Sequence, residues 1–424
     1  MIRVNLLRDN KQSIIERLSI RNFKSLSIID EIIDLDDQRK SNQSSLDNNL
    51  SKANNISKDI ADLYKSGDTE KASLLKKESK QLKEKTRDLQ STQNEIEKDL
   101  DNLLYQIPNV PHELVSAGVT DEDNEVIKQG GTLPDQDKCN KPHWEIAKEY
   151  NLIDFELGNK ITGSGFPVYV NNGAKLQRSL ISFFLDRNIN SGYTEYLPPH
   201  LVNKESGFGT GQLPKFGEDL YKTSCENDLY LIPTAEVPIT NLYRDIIFDQ
   251  DDLPVKSTAY TPCFRKEAGS YGKDVRGLNR LHQFDKVEIV QVQHPDLSYI
   301  TLDEMVSHVE QILIDLDLPY RIVRLCGGDL GFSASLTYDF EVYSAAQRRW
   351  LEVSSVSNFE DYQSNRLRLR YRDNNGGIKL CHTLNGSALA LPRVLAALLE
   401  NNQSSDGIKI PDVLHSYTGF SIIK

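Results

Sequence analysis

Residues 264–288 read FRKEAGSYGKDVRGLNRLHQFDKVE, and the rest of the chain is best understood from them. The opening Phe264-Arg265-Lys266-Glu267 closes a strand-like run over 257–265. A polar loop follows, carrying Gly269, Gly272, Arg276, Gly277 and Arg280. From Leu281 to Val292 the chain turns extended again, with side chains expected to alternate between two sheet faces. Strand, basic loop, strand is a cradle for a bulky anion. Glycine lets backbone N–H groups close on phosphate, and an arginine fork binds it through paired hydrogen bonds. A charged hairpin loop is more often simply solvated, so the pattern needs support from elsewhere in the chain.

The chain has 424 residues, room for two or three domains, and its apolar fraction of 38% points to one segment with little core of its own. No apolar run approaches the ~18–20 residues that cross a bilayer. The first residues, MIRVNLLRDN, lack the apolar stretch of a signal peptide. A soluble, cytoplasmic protein that meets no membrane is expected. Cys139, Cys225, Cys263, Cys326 and Cys381 are scattered without a CxxC pair, which predicts reduced thiols and no zinc. The formal charge of −12 argues against a protein that coats nucleic acid, and leaves room for a local basic surface.

Residues 1–26 read as a helical lead-in, with a helix around 10–18. From 28 to 104 there is no proline, and Gly67 is the one glycine, so two long helices broken at 65–69 are predicted. In the second helix Ala72, Leu75, Ser79, Leu82, Thr86, Leu89, Gln93, Ile96, Leu100 and Leu103 follow an unbroken 3-4 alternation. The first helix fits more loosely through Ile29, Ile32, Leu46, Leu50, Ala53, Ile60 and Tyr64, with polar Asp36, Arg39 and Gln43 interrupting it. Such spacing on both halves of a hairpin predicts an antiparallel coiled coil, a rod on the order of 50 Å long. Residues 71–87 hold seven cations against two anions. Lys71, Lys76, Lys77, Lys80 and Lys83 on a rod of an otherwise acidic protein suit an RNA backbone, although a solvated helix face has the same look.

Pro108 and Pro111 stop the hairpin, which gives an N-terminal domain over 1–110. The polar stretch 111–142 reads as a linker, and 143–424 as the body. In the body, a helix is expected over 172–190 and strands at 192–199, 229–232, 257–264, 283–292, 320–325, 335–343, 349–357 and 378–383. A last helix begins near Ser387. Hairpin-spaced strands with helices segregated around them predict an α+β fold with an antiparallel sheet.

An aromatic followed by Arg-Lys-Glu, a loop, then His282-Gln283-Phe284-Asp285-Lys286-Val287-Glu288 resembles motif 2 of the class II aminoacyl-tRNA synthetases, specifically the bacterial-type seryl-tRNA synthetases. The resemblance extends through Pro233-Thr234-Ala235-Glu236, Gly328-Asp329-Leu330-Gly331-Phe332-Ser333, Glu352-Val353-Ser354-Ser355, 357–361 and Thr383-Leu384-Asn385-Gly386-Ser387. It covers nearly the whole chain. It implies an antiparallel class II catalytic sheet flanked by helices, with an N-terminal coiled-coil arm, and the activity of a serine–tRNA ligase.

The same resemblance implies roles. Arg265 would bridge the serine carboxylate and the α-phosphate of ATP, with Lys266 beside it and Glu267 meeting the adenine amino group. Phe284 would stack on the purine, next to Leu281. Arg393 would meet the terminal phosphate at the start of the last helix, where the helix end favours anions. In that segment Ala388 stands where glycine is common, and Leu391-Pro392 precede the arginine. Glu352 and Ser355, with Val353 and Ser354 between them, would hold Mg²⁺ against the phosphates. Glu288 and Ser387 would face the serine hydroxyl, with Thr234, Glu236 and Glu288 around the ammonium and with Ala235 and Asn385 as neighbours in the serine site. Buried polar groups that bind a hydroxyl reject analogues lacking it. Residues 192–199 resemble motif 1, which implies a homodimer. The implied acceptor is tRNA(Ser), with tRNA(Sec) left open. Two other readings stand beside this one: a ligase loading a carrier protein, which gives no reason for the rod, and a catalytically dead RNA-binding paralogue.

Overall fold

The structure, a computed structural model, describes residues 1–135, 137–224, 227–267 and 276–424. Gly269, Gly272 and Cys225 lie outside the described residues. The chain divides into two units: residues 2–16 with 23–107, and Met1 with 17–22 and 108–424.

The smaller unit is the predicted hairpin of α1 (Ile28–Ser66) and α2 (Thr69–Leu104). Gly67, at φ 82, ends α1 in the left-handed conformation that glycine adopts without steric cost, and the Asp68 side chain caps α2 by accepting from the Lys71 N–H. All ten residues predicted to face inward from α2 are buried or half-buried, and every other residue between 73 and 102 is exposed. In α1 the pattern needs correction. Leu50 and Tyr64 are exposed, and Asn49, Ile56 and Leu63 turn inward in their place. The seam is polar here: the Asn42 amide donates to the Leu89 carbonyl and to Gln93 Oε1, both 2.9 Å away. Counting apolar residues therefore misses the step from Leu46 to Asn49. Asp36, buried in the same seam, is met by Arg8, Arg39 and Lys40 at 3.0, 2.9 and 2.6 Å. Burial works to raise its carboxyl, and the hydrogen bonds from Lys40, Arg39 and Arg8 outweigh this and hold it at about 2.

The larger unit is built on a sheet of eight strands: β1 (Glu125–Gly130), β2 (Thr194–Glu195), β3 (Val255–Phe264), β4 (Gln283–Gln293), β5 (Tyr320–Arg324), β6 (Leu336–Ser344), β7 (Arg349–Glu360) and β8 (His382–Ala390). Their order is β1-β5-β6-β7-β8-β4-β3-β2. Every neighbouring pair is antiparallel except β2 with β3, so the α+β sheet expected from the strand spacing is present. Helices α3 (Asn171–Asn190), α4 (Glu236–Asn241), α5 (Ser298–Asp315) and α6 (Leu391–Asn401) accompany it. The main core joins Leu180 and Phe184 of α3, Met305 and Leu313 of α5 and Leu395 of α6 to Ile289, Phe340 and Val356 of the sheet.

Three expectations change. Residues 111–142 are not merely a linker, because β1 forms the sheet's edge against β5. It carries no one-sided apolar pattern, with Val126 and Ile127 both exposed, and is held instead by its ladder and by ion pairs from Arg324 to Glu125 and Lys128 to Glu310. The boundary at 110 also shifts, since residues 17–22 belong to the larger unit. There the Arg21 guanidinium donates to the carbonyls of Asn109, Ala334, Leu330 and Gly331 at 2.6–2.9 Å. Finally, the last helix starts at Leu391 rather than near Ser387, and Asn385-Gly386-Ser387 sits inside β8. A side chain at Gly386 would come within 3.0 Å of Val356 Cγ2, so glycine there serves close strand packing.

The register of the arm has a direct test. Leu100→Ala, at a position 7% exposed, should cost about 2–4 kcal/mol of amide protection across α2. Leu74→Ala, 65% exposed, should stay within about 0.5 kcal/mol. Equal effects in hydrogen exchange would contradict the seam.

Candidate active site

The hairpin of β3 and β4 positions the first group of side chains. Cys263 pairs with Phe284 and Phe264 with Gln283, and the Arg265 N–H donates to the His282 carbonyl at 2.9 Å. Arg265 emerges exposed where β3 ends. Its guanidinium lies 5.3 Å from the centre of the Phe284 ring, and Nε donates to the Pro233 carbonyl at 3.3 Å. Glu267 takes a left-handed φ of 52 and pairs with Arg280 across the hairpin at 2.8 Å. Lys266 donates its N–H to the Asp219 carbonyl, and its ammonium lies over Tyr221. His282, which sequence reading passed over, ties the two strands together. Its ring stacks on Phe166 at 5.5 Å, and Nδ1 lies 3.0 Å from the Arg265 carbonyl. Leu281 is buried in the main core, so it supports the hairpin from beneath and does not line an open face. Ala235 and Val353 are likewise core residues.

Next to Arg265 lies a pocket of buried polar side chains. Glu288 of β4 stands directly across the ladder from Ser387 of β8. Its Oε2 meets Lys286 Nζ at 2.5 Å and accepts from Thr234 Oγ1 at 3.2 Å, while Oε1 accepts from the Asn385 amide at 3.1 Å. A carboxylate offers about four lone-pair positions, and three are used here, so one on Oε1 stays open for a further donor. Glu236, which opens α4, is also buried and accepts from Gln363 Nε2 at 2.7 Å. Gln363 is fixed in turn by Thr383 Oγ1 at 2.7 Å. Lys286 stood inside the 282–288 string without a role of its own, and no motif marked Gln363. A lysine two residues before Glu288 on one strand is the signal that was available for the first.

The electrostatics follow from burial. Desolvation, then the neighbouring Glu288, push the Glu236 carboxyl up to about 7, against the pull of Gln363, Lys286 and Arg265. Burial also raises Glu288, and Lys286, Thr234 and Arg265 draw it back. Glu288 is bonded to Lys286, whereas Glu236 is bonded to the neutral Gln363, so an arriving ammonium would give Glu236 a bonded cation.

At the far end, Arg393 sits in the first turn of α6 just after Pro392, a position where proline is tolerated. It donates from Nη1 to the Glu352 carbonyl at 2.8 Å and lies 3.5 Å from that residue's carboxylate. Glu352 and Ser355 are three apart on one strand, a spacing that normally places side chains on opposite faces. A bulge at Val353 restores them to one face, and Ser355 Oγ reaches Glu352 Oε1 at 3.5 Å. Asp339 of β6 pairs with Ser355, and its Oδ1 is sealed from solvent without a hydrogen-bond partner. Burial, then Glu352, raise its carboxyl well above the usual range. Ser354 points inward and donates to the Ser387 carbonyl at 2.5 Å, so it braces β8 against β7. Hydroxyl, carboxylate and an orphaned carboxylate oxygen fit a hard divalent cation such as Mg²⁺. Among the described residues no three His, Cys, Asp or Glu gather as a cage, so such an ion would complete its shell with water and phosphate oxygens.

On the arm, Lys76, Lys77, Lys80 and Lys83 are exposed, and Lys71 pairs with Asp68 at 2.8 Å.

The chain and its fold have clear counterparts among known proteins. Residues 221–402 match the tRNA synthetase class II core domain (G, H, P, S and T), and residues 1–111 match the seryl-tRNA synthetase N-terminal domain. The chain is 47% identical to the serine–tRNA ligase of Salinibacter ruber over 425 residues, covering 100% of this chain and 99% of that one. It is 45% identical to that of Thermoanaerobacter pseudethanolicus, covering 100% of each. Among solved structures, seryl-tRNA synthetase from Pyrococcus horikoshii complexed with ATP superposes with a TM-score of 0.89 at 32% identity, covering 100% of this chain and 99% of that one. Fold and site together define a class II aminoacyl-tRNA synthetase, an ATP-dependent ligase. Within that class the chain belongs to the seryl-tRNA synthetase family.

The pocket's charge state can be read directly. In a chain carrying ¹³C-labelled glutamate, one side chain should titrate with a midpoint of about 7, protonated below it and ionised above. Gln363→Leu removes a bond that favours the ionised form, so the midpoint should rise. A midpoint in the ordinary glutamate range, or a downward shift in the variant, would contradict the assignment.

Proposed function

We propose that this chain activates L-serine with ATP to give seryl-adenylate and pyrophosphate, then transfers the seryl group to the 3′ end of tRNA(Ser). The observation that carries the proposal is Glu288, buried opposite Ser387 with three of its four acceptor positions taken. The remaining position suits one donor from a small hydroxylated amino acid, and a side chain without that donor leaves a buried carboxylate unsatisfied. Glu236 and Thr234 would receive the ammonium. Its charge favours ionised Glu236, so serine should bind more tightly as pH rises from 6 to 8.

Activation is attack of a carboxylate on the α-phosphate, with little proton transfer, so orientation and charge neutralisation dominate. Arg265 is exposed, and its Nε donates to the Pro233 carbonyl. It would hold the serine carboxylate and the α-phosphate together. Phe284 would receive the purine and Glu267 its amino group, which requires Glu267 to share Arg280. Arg393 would meet the terminal phosphate with the α6 N-terminus behind it. Glu352 and Ser355 would hold Mg²⁺, which when bound neutralises phosphate charge.

Lys76, Lys77, Lys80 and Lys83 on the arm would meet the tRNA backbone, and Lys71 would join them if it leaves Asp68. The motif 1 resemblance at 192–199 would make a homodimer, with Leu197, 83% exposed here, at its interface. No helix among the described residues is long and apolar enough to cross a membrane, in keeping with a cytoplasmic enzyme.

Serine-dependent ATP–pyrophosphate exchange and tRNA charging test the two halves together. Arg265→Ala should abolish exchange. Deletion of 30–104 should preserve exchange and remove charging, and the same assay run with tRNA(Sec) reads the second acceptor. Near-normal exchange in the first variant, or undiminished charging in the second, would overturn the corresponding half.

A further inference from the structure

Behind the arginine hairpin lies a buried imidazole–carboxylate pair that the activation chemistry above does not use. Glu400, late in α6, and His143, which opens the helix His143–Glu149, are both fully buried. The imidazole Nδ1 lies 2.7 Å from Glu400 Oε1, and the His143 backbone N–H donates to the same oxygen at 3.0 Å. Nε2 accepts the Leu278 N–H at 2.8 Å. An imidazole that accepts at Nε2 and faces a carboxylate at Nδ1 carries its proton on Nδ1, so the bonding fixes the tautomer.

Glu400 sends out a second connection. Its Oε1 also accepts from Gln347 Nε2 at 3.1 Å, and Gln347 Oε1 accepts from the Asn279 side-chain amide at 3.0 Å. Ser344 Oγ donates to Oε2. Burial works against ionised Glu400, and the bonds from His143 and Ser344 more than offset it. Two chains thus leave one carboxylate, through an imidazole and through an amide, and converge on residues 278 and 279. There the Asn279 carbonyl accepts Arg393 Nε at 3.3 Å. Space at the junction is tight: Gly277 has φ +62, and a Cβ on it would lie 2.2 Å from His143 Nε2. Satisfying a core histidine explains one of these bonds. It does not explain why both routes end at Asn279, whose carbonyl holds the second arginine, and at Leu278 next to it.

We propose that His143 and Glu400 are positioning residues for Arg393, clamping the return of the basic loop at 278–279 so that the Asn279 carbonyl sets the guanidinium. The inference rests on the reading of Arg393 as a nucleotide ligand. The clamp acts on ATP and leaves serine alone, because neither route touches Glu236, Glu288 or Ser387.

A double-mutant cycle on the full-length chain tests it, with ATP and serine affinities measured by calorimetry. Arg393→Ala should weaken ATP binding, and His143→Ala should weaken it on the order of 10-fold while serine affinity stays within about twofold. In the Arg393→Ala background, His143→Ala should add nothing. Unchanged ATP affinity in Arg393→Ala alone would reject the nucleotide role of that arginine. A normal result there combined with multiplying effects, or with equal loss of serine and ATP binding in His143→Ala, would reject the clamp. Should His143→Ala fail to fold, Gln347→Ala removes the second route and should weaken ATP binding roughly threefold by the same logic, again only when Arg393 is present.

Discussion

The contact on which the rest depends is the one between Lys286 and Glu288, two residues apart on one strand and both buried. A carboxylate in the middle of a sheet is tolerable only when its oxygens are occupied by donors, and Thr234 and Asn385 complete the set. Those donors come from three separate stretches of chain. The fold must bring β4, β8 and the segment before α4 together before Glu288 can be buried at all. The pocket and the sheet are in that sense one construction. What remains open on Glu288 after folding is what a substrate can use.

The sheet achieves its second placement through irregularity. The bulge at Val353 puts Glu352 and Ser355 on one face, and another in β8 between Ser387 and Ala390 adds a residue opposite β4 just before α6 begins. The first gathers the oxygen ligands, and the second lets the strand end where Arg393 enters the first turn of the helix. Regular strands of the same sequence would point Glu352 and Ser355 to opposite sides.

Much of this was legible in the chain itself. The ten inward positions of α2 follow from a strict alternation, and the β3–β4 hairpin from alternating residues either side of a polar loop. Leu50 and Tyr64 misled because apolar residues were taken for the seam, when Asn42, Asn49 and Gln93 fill part of it and Asn42 bonds across it to Gln93. The edge strand Glu125–Gly130 was invisible because neither face is buried, which leaves no pattern to see. The last helix begins later than expected because the strand through Asn385-Gly386-Ser387 runs on to Ala390, its glycine serving strand packing. Of the site, resemblance supplied residues that composition alone would pass over. The supporting partners Lys286, Gln363 and His282 emerge only when strands from distant parts of the chain meet, and Leu281 proves to be core.

The most direct test of the account is a crystal structure of the chain with a non-hydrolysable seryl-adenylate analogue. The serine moiety should lie within hydrogen-bond distance, about 3 Å, of Glu288 Oε1, with its phosphate on Arg265. An analogue seated elsewhere, or one whose serine end leaves the Glu236 and Glu288 carboxylates uncontacted, would contradict it.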